Sequence, residues 1–182
     1  NRYLFNCQNG TLDLSTMEFH PHRPEDMLTM LAGVTYSPDA VCERWNTFIT
    51  EVMVGDAELA DFLQRALGYT LTGDTSLECL FILDGATSRN GKGTTMETFL
   101  KIMGDYGKTS NPEMLSAKFG ASNNGGPSEE VARLAGARFV NISEPEKRIS
   151  FHAALVKRLT GNDTINARDL HENSFDFSPM FK

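Results

Sequence analysis

The chain has 182 residues, of which 40% are apolar and 23% charged, and its formal net charge is −7. This length suffices for one domain, or for one domain with a small accessory module, and for a core that needs no disulfide or metal. The acidic balance argues against a free-standing, non-specific DNA-binding protein, although a ring that touches DNA with a few residues from each subunit remains compatible with it.

The first part of the chain, residues 1–75, is predicted to be a small, mainly helical module that begins with a β-hairpin. Strand-like runs flank the turn signal Asn9-Gly10. Apolar residues at helical spacing predict a helix over residues 41–54, with Gly55 as its stop. Asp56 is the expected N-cap of a second helix that runs to Gly68, and the short connection predicts an antiparallel helix pair.

The pattern changes in residues 76–182, which are predicted to form a P-loop ATPase core of the α/β class. The apolar run 79–83 is typical of a strand buried on both faces of a parallel sheet, and a Gly-rich loop and an amphipathic helix follow it. We expect a surface loop over 117–128, a short helix over 129–134, a second strand over 138–142 and a helix over 151–159. The tail predicts two strands around a turn at residues 171–173.

The Gly-rich segment, residues 85–94 (GATSRNGKGT), has the composition of a phosphate-binding loop. Glycines allow backbone N–H groups to turn toward a phosphate, and the N-terminus of the next helix adds free donors and its dipole. A lysine supplies a point charge for the β- and γ-phosphates of ATP. The alternative is a Gly-rich turn with an incidental lysine. The candidate nucleotide-binding residues are Gly85, Asn90, Gly91, Lys92, Gly93 and Thr94.

Two features depart from the usual P-loop pattern. Gly85 and Gly91 enclose five residues, whereas the usual spacing is four. Gly93 stands where a Ser or Thr usually follows the lysine, and Thr94 comes one position later, about 100° further around the helix. Thr94 is therefore the candidate Mg²⁺ ligand, but a phosphate contact is the other option.

A second acid is expected at the end of the strand over residues 138–142. P-loop ATPases place such an acid beside the nucleotide to handle Mg²⁺ and the attacking water. Glu144 is the candidate, with Glu146 as a second choice, so the predicted catalytic pair is Lys92 and Glu144. With Ser143 before it, Glu144 is expected to act as a base, while metal contact runs through water or Ser143. The alternative role is a carboxylate that favours a helix N-terminus.

Several of these segments together resemble the C-terminal, helicase half of phage and plasmid primases, which are related to poxvirus primase-helicases and to superfamily 3 helicases. The resemblance runs through nearly the whole chain, and its most specific part is residues 157–168, where Asn162 replaces a usual second glycine. The matching segments are residues 9–14, 36–40, 67–74, 90–94, 134–144, 157–168 and 175–179.

This resemblance implies an AAA+-like ATPase that works as a homo-hexameric ring and pulls single-stranded DNA through its pore with 3′→5′ polarity. It places a DNA-contacting hairpin after the strand-end acid, so that Lys157, Arg168 and His171 become candidates for phosphate contact. The alternatives are solvated charges on a hairpin or, for Arg168, contact with the adjacent subunit. The resemblance also implies a primase domain upstream, and a sensor strand beyond residue 182.

Three cysteines at wide spacing fit neither a disulfide framework nor a zinc site, and favour a reducing, cytosolic environment, which for a phage or plasmid protein is the bacterial host. Two other functions stay open. The first is a P-loop small-molecule kinase, although the Gly/Asn-rich loop offers little for an Arg-rich lid. The chain also fits a nucleotide-binding oligomerisation module without turnover, which the glycine at position 93 favours.

Overall fold

The computed structural model gives a mixed α/β fold, with three small sheets among the residues that it describes, as the sequence predicted at the level of fold class. An N-terminal antiparallel sheet and a parallel strand pair are both present, whereas the complete P-loop AAA+ sheet stays a prediction. The division of the chain near residue 75 also stays a prediction. The residues that the structure describes are 1–85, 88–116, 129–144, 150–168 and 173–182.

The predicted N-terminal hairpin is confirmed, with a third strand added. Strands β1 (Leu4–Cys7), β2 (Gly10–Asp13) and β3 (Glu18–His20) form an antiparallel sheet in the order β1-β2-β3. Cys7 pairs with Gly10, so the turn lies one residue earlier than predicted. Asn9 instead uses its side-chain amide to hold the backbone of Tyr36, through bonds of 2.8 and 2.9 Å.

The predicted helix pair is also present, as α1 (Glu43–Val52) and α2 (Ala57–Leu71). The Asp56 side chain accepts a hydrogen bond from the N–H of Leu59 at 3.0 Å, so the predicted N-cap is confirmed. The first helix ends at Val52, two residues before the predicted end, and Val54, with φ of 55°, takes the left-handed position that was predicted for Gly55, whose φ is 79°. The predicted stop at Gly68 is wrong, because the helix runs on to Leu71. A helical glycine weakens a helix without ending it when packing on either side continues.

The prediction of a buried strand over residues 79–83 is wrong. The segment is not a strand in the structure, and Ile82 and Leu80 are 73% and 40% exposed. A strand buried in a parallel sheet takes its hydrogen bonds from neighbours on both edges. Among the described residues, no strand pairs with this segment. Only one side of the run is covered, for example where Phe81 meets the ring of Phe62 edge to face.

Helix α3 (Lys92–Met103) begins directly at the predicted loop, as the sequence indicated. A short 3-10 turn, Gly104–Tyr106, leads into β4 (Gly107–Ser110). Strand β5 (Phe139–Ile142) agrees with the predicted strand and pairs in parallel with β4. On its other edge, the N–H of Val140 in β5 donates to the carbonyl of Lys182, and the N–H of Lys182 donates to the carbonyl of Arg138, just before β5; each bond is 3.1 Å long. The predicted helix over 129–134 is shorter, at Glu129–Ala132 (α4).

The last helix, α5 (Ala153–Thr160), is capped by His152, whose ring accepts a hydrogen bond from the N–H of Leu155. The predicted pair of tail strands is present as β6 (Ile165–Ala167) and β7 (Phe175–Phe177), which form an antiparallel pair. The predicted turn at residues 171–173 and the predicted loop over 117–128 lie outside the described residues, apart from Asn173.

Two clusters of buried apolar side chains form the core. The first joins the N-terminal sheet, α1 and α2 to α3, Tyr106 and Phe139, so it crosses the predicted division near residue 75. The second lies between α4, α5 and β6, and it includes Phe181. Within the described residues, no helix has both the length and the apolar character needed to cross a membrane.

Candidate functional site

The loop before α3 turns sharply, because two of its described residues have left-handed backbone angles. Arg89 has φ of 58° and Gly91, the N-cap of α3, has φ of 84°. Glycine adopts this conformation without strain, whereas arginine adopts it at a cost. Bends of this kind direct successive backbone N–H groups into a concave surface that suits an anion. The predicted loop residues 86 and 87 lie outside the described part of the chain.

Three of the predicted nucleotide-binding residues meet at the start of α3. A Cβ atom added to Gly85 would overlap the Nδ2 atom of Asn90 and would lie 3.2 Å from the Nζ atom of Lys92. The lysine side chain therefore folds back over the first glycine of the loop. Gly85 lacks a side chain at the point where a side chain would displace the amide and the ammonium group.

The hydroxyl groups next to Lys92 lie in different surroundings. Gly93 and Thr94 are both exposed in the first turn of α3, and a Cβ atom at Gly93 would meet nothing within 4 Å. Thr95 is buried, and its hydroxyl donates to the carbonyl of Gly91 at 3.0 Å. Thr94 thus retains an open hydroxyl, while that of Thr95, which the sequence did not single out, is committed to the helix backbone.

The described residues hold no cluster of three or more His, Cys, Asp or Glu side chains that would bind a metal by itself. Mg²⁺ that binds together with a nucleotide takes most of its ligands from phosphate and water, so such an ion would need few protein ligands. A cradle in which Gly85 and Gly91 leave no room for a Cβ, beside an ammonium group, suits the polyphosphate that would bring the ion.

Glu144, the predicted acid, is exposed two residues beyond the end of β5, and Ser143 before it is exposed as well. Strand β5 packs on α3, the helix that begins with Lys92, through the rings of Phe139 and Phe99. Their centroids are 5.1 Å apart in an edge-to-face arrangement. The second choice for the acid, Glu146, lies outside the described residues.

The predicted DNA-contacting residues lie on α5 and at the β6–β7 hairpin. Lys157 is exposed on α5, and Arg168 is exposed one residue beyond β6. Asn166 and Asp176 form a cross-strand hydrogen bond of 2.7 Å on the exposed face of the hairpin, while Ile165 is fully buried on the other. His171 lies outside the described residues.

Asn162, which follows α5, connects this region to the segment before residue 79. Its Oδ1 atom accepts a hydrogen bond from the hydroxyl of Thr75 at 2.7 Å, and its Nδ2 atom donates to Glu78 at 3.1 Å. Thr75 is only 2% exposed, so this contact is shielded from water. An asparagine at this position therefore has a structural role that a glycine would not have.

Sequence reasoning missed the contact between the loop and α1. A Cβ atom added to Gly91 would overlap Cγ1 of Val52 and would lie 3.3 Å from Cζ of Phe48. The available signal was the position of both side chains on the apolar face of a predicted helix. Helical periodicity shows that such a face is covered, but it does not identify the segment that covers it.

Comparisons with known proteins extend the similarity beyond these motifs. Residues 1–54, which end just after α1, match the protein family described as D5 N terminal like. A protein of Acanthamoeba polyphaga mimivirus named "Putative helicase" is 28% identical over 186 residues, which cover all of this chain and 19% of the viral protein. A protein of Frog virus 3 (isolate Goorha) with the same kind of name is 30% identical over 139 residues, which cover 74% of this chain and 14% of that protein.

The chain is thus similar to a D5-like family over its first 54 residues, and over most of its length to two viral proteins that are named as putative helicases. The chain spans about a fifth of the length of the mimivirus protein and a smaller share of the Frog virus 3 protein. The relatives named here come from large DNA viruses. The predicted phage or plasmid origin and the superfamily 3 assignment stay predictions.

Proposed function

We propose that this chain contains the nucleotide-binding core of an ATP-dependent DNA helicase of the superfamily 3 kind, which couples ATP hydrolysis to movement along single-stranded DNA during replication. The observation that carries this proposal is the meeting of Gly85, Asn90 and Lys92 at the N-terminus of α3. Free N–H groups of the first helical turn and one ammonium group are the donors that a triphosphate needs in a small volume.

In this proposal Lys92 contacts the β- and γ-phosphates, and its charge is the main local compensation for theirs. Thr94, whose hydroxyl side is exposed in the first turn, is the candidate to reach the metal ion. A Mg²⁺ ion held there with the nucleotide would supply further positive charge beside the γ-phosphate. Gly91 allows the backbone to approach the phosphates, since a larger residue would be displaced by α1.

Glu144 is proposed to accept a proton from the attacking water, or to hold the metal ion through a water molecule. Support comes from its position after β5, a strand that packs against α3 through Phe139 and Phe99. Its exposure leaves the Glu144 carboxylate accessible to water, which a general base for hydrolysis requires.

Single-stranded DNA is the proposed polymer substrate, with Lys157, Arg168 and His171 as phosphate contacts. Both described side chains among these three are exposed, and Arg168 stands at the base of the β6–β7 connection. Contacts with phosphate position a strand without selecting its sequence, as a translocating enzyme needs. A homo-hexameric ring and a covalently linked primase domain are proposed for the longer protein.

Nucleotide binding is tested by titrating this chain with a fluorescent ATP analogue in the presence of Mg²⁺. Replacing Lys92 with Met should weaken binding about tenfold or more, because a charge-assisted contact with phosphate is lost. The matched control is Lys101→Met, which removes an exposed lysine near the other end of the same helix. Equal affinities of the Lys92 and Lys101 variants would rule out the proposed phosphate site.

Motor activity is tested in the longer protein, by measuring ATP hydrolysis with and without single-stranded DNA. We expect stimulation by DNA, and we expect Glu144→Gln to abolish turnover while nucleotide binding persists. Arg168→Ala should reduce the apparent DNA affinity and lower the slope of its salt dependence by about one, whereas the exposed Arg133→Ala should change neither. An ATP hydrolysis rate that single-stranded DNA does not change would contradict the helicase proposal.

A nucleotide-binding oligomerisation module is the second candidate function. It is favoured by the glycine at position 93 and by the hydroxyl of Thr95, which bonds to Gly91 instead of facing the site. Such a module binds ATP and assembles without turning it over. The hydrolysis measurement above distinguishes it, because nucleotide-dependent assembly without DNA-stimulated turnover would favour the module.

A further inference from the structure

We infer that α1 positions the phosphate loop, with Val52 and Phe48 as positioning residues at the cap of α3. The inference rests on the proposed nucleotide-binding function of that loop. At Gly91, directly before Lys92, an added Cβ atom would overlap Val52 Cγ1 and would lie 3.3 Å from Phe48 Cζ. The loop backbone is therefore in van der Waals contact with two side chains of the N-terminal part of the chain.

The two positioning residues are themselves held in place. Phe48 packs against Trp45 one turn earlier, with 5.6 Å between the ring centroids, and both are partly buried against the first core cluster. Ile49, between them and Val52, is only 2% exposed. Because α1 is anchored in the core through these side chains, the surface that it presents to Gly91 is a fixed one.

The other end of α3 is held by the same part of the chain. The N–H of Gly33 donates to the carbonyl of Ile102 at 3.0 Å. The Asp105 side chain and backbone bond to the N–H and carbonyl of Leu31, at 3.0 and 2.9 Å. Residues 30–52 therefore contact the helix near its last turn and its cap residue at its start.

This arrangement has a consequence for the loop. A helix of 12 residues behaves as a rod, so fixing its C-terminal end fixes its axis, and the contact at Gly91 then fixes where its first turn begins. The contacts at the two ends of α3 together therefore determine the position of Lys92. We therefore expect a change at Val52 to alter nucleotide affinity although its side chain does not touch the nucleotide.

The test is a double-mutant cycle between residues 52 and 91, read by binding of a fluorescent ATP analogue with Mg²⁺. Gly91→Ala should weaken binding about tenfold or more, since its Cβ overlaps Val52 and its backbone angle is strained. In a Val52→Ala background, the loss of affinity caused by Gly91→Ala should be about threefold smaller, because the overlap is relieved. Gly93→Ala, whose Cβ meets open space, should have the same effect in both backgrounds.

A purely structural role for Val52 is separated by a matched truncation. Val131→Ala removes the same atoms from the second core cluster, where the side chain is 3% exposed. We expect Val131→Ala to lower the urea midpoint of unfolding without changing nucleotide affinity, and Val52→Ala to weaken affinity about threefold. Unchanged affinity in Val52→Ala, or equal losses in both variants, would overturn the inference.

If the unaltered chain binds no nucleotide, the proposed function fails. The contact between α1 and the loop is then tested by the urea midpoints of the parent, Gly91→Ala, Val52→Ala and the double variant. A drop caused by Gly91→Ala that is smaller in the Val52→Ala background supports the contact between α1 and the loop. Drops that simply add would show that the two positions do not touch.

Discussion

The guanidinium group of Arg138 lies 4.6 Å from the centre of the Tyr106 ring. The arginine is 1% exposed, and it donates hydrogen bonds to the backbone carbonyls of Leu71 and Leu4 at 2.7 Å and of Asn1 at 3.2 Å. One cation thus joins the start of the chain, the end of α2 and the residue before β5. Burial lowers the pKa of this guanidinium, while the nearby Tyr106 opposes the shift.

Replacing Arg138 with Met should destabilise the protein by about 2–4 kcal/mol, since three carbonyl groups would lose their donor in a buried site. Urea unfolding gives the free energy. The control is Arg133→Met, at an exposed position five residues earlier, which should change stability by about 0.5 kcal/mol or less. An Arg138→Met protein as stable as its parent would show that the hydrogen bonds of Arg138 do not stabilise the fold.

Lys182 should make stability depend on pH above neutrality. Burial lowers the pKa of its ammonium group to about 8, partly opposed by the charge of Asp74, and the group lies 4.2 Å from the Tyr69 ring centre. Between pH 8 and the ordinary value of 10.5, the unfolded chain holds a proton that the folded chain has released, so stability rises with pH across this window.

The measurement compares thermal midpoints of the parent and Lys182→Met at pH 7.5 and 9.5. The parent should gain stability relative to the variant as the pH rises. Other groups that titrate in this range, such as Cys7 with its raised pKa, are present in both proteins and cancel in the difference. A constant difference between the two proteins would refute the assignment to Lys182.

Two glycines with equal free space should respond in opposite directions to alanine. Neither Gly55 nor Gly68 has an atom within 4 Å of an added Cβ. Gly68 lies inside α2, so Gly68→Ala should stabilise the protein by about 0.5–1 kcal/mol. Gly55 has φ of 79°, so Gly55→Ala should destabilise it by about 1 kcal/mol. Each variant serves as the control for the other in chemical denaturation.

Asn162→Gly should loosen the segment that precedes residue 79. The substitution removes the hydrogen bonds to Thr75 and Glu78, and the loss of a shielded bond should cost about 1 kcal/mol. Hydrogen exchange of residues 75–78 should accelerate, whereas Asp163→Gly, a change at the next exposed position, should leave it unaltered. If exchange at residues 75–78 stays slow in Asn162→Gly, the bridge does not hold this segment.

Local chemistry was sufficient to predict the elements whose signals lie in adjacent residues. Asp56 marked a helix start, and the spacing of Phe99 and Met103 marked the apolar face of α3, where both side chains are buried. The tail was likewise predicted to form two strands, and β6 and β7 are present, with Ile165 buried on one face. In each case the deciding residues are neighbours along the chain.

Strands that depend on distant partners were predicted less well. The sequence Gly-Lys-Thr-Ser of β4 has no apolar pattern, and it forms a strand because β5, more than 25 residues later, pairs with it from Gly107 to Ser110. The run 79–83 shows the reverse case: its composition favours a strand, but it forms none, and no described strand lies beside it. Pairing decides such segments, and composition alone does not show whether a partner is present.

The candidate site divides in the same way. The motif predicted that Gly85, Asn90 and Lys92 belong to one phosphate-binding loop, and the structure brings these three residues together. The contact between Gly91 and Val52 joins residues that are 39 positions apart, so no local pattern contains it. The roles assigned to Lys92, Thr94, Glu144 and the DNA-contacting residues stay predictions until nucleotide and DNA binding are measured.

The exposed apolar run over residues 79–83 also governs how the isolated chain behaves in solution. It is rich in β-forming side chains, contains no charge or proline, and leaves Ile82 73% exposed. Segments with these properties recruit one another into intermolecular ladders and then into precipitate. We therefore expect the chain to precipitate faster at higher concentration. A single charge at position 82, as in Ile82→Lys, should slow this precipitation.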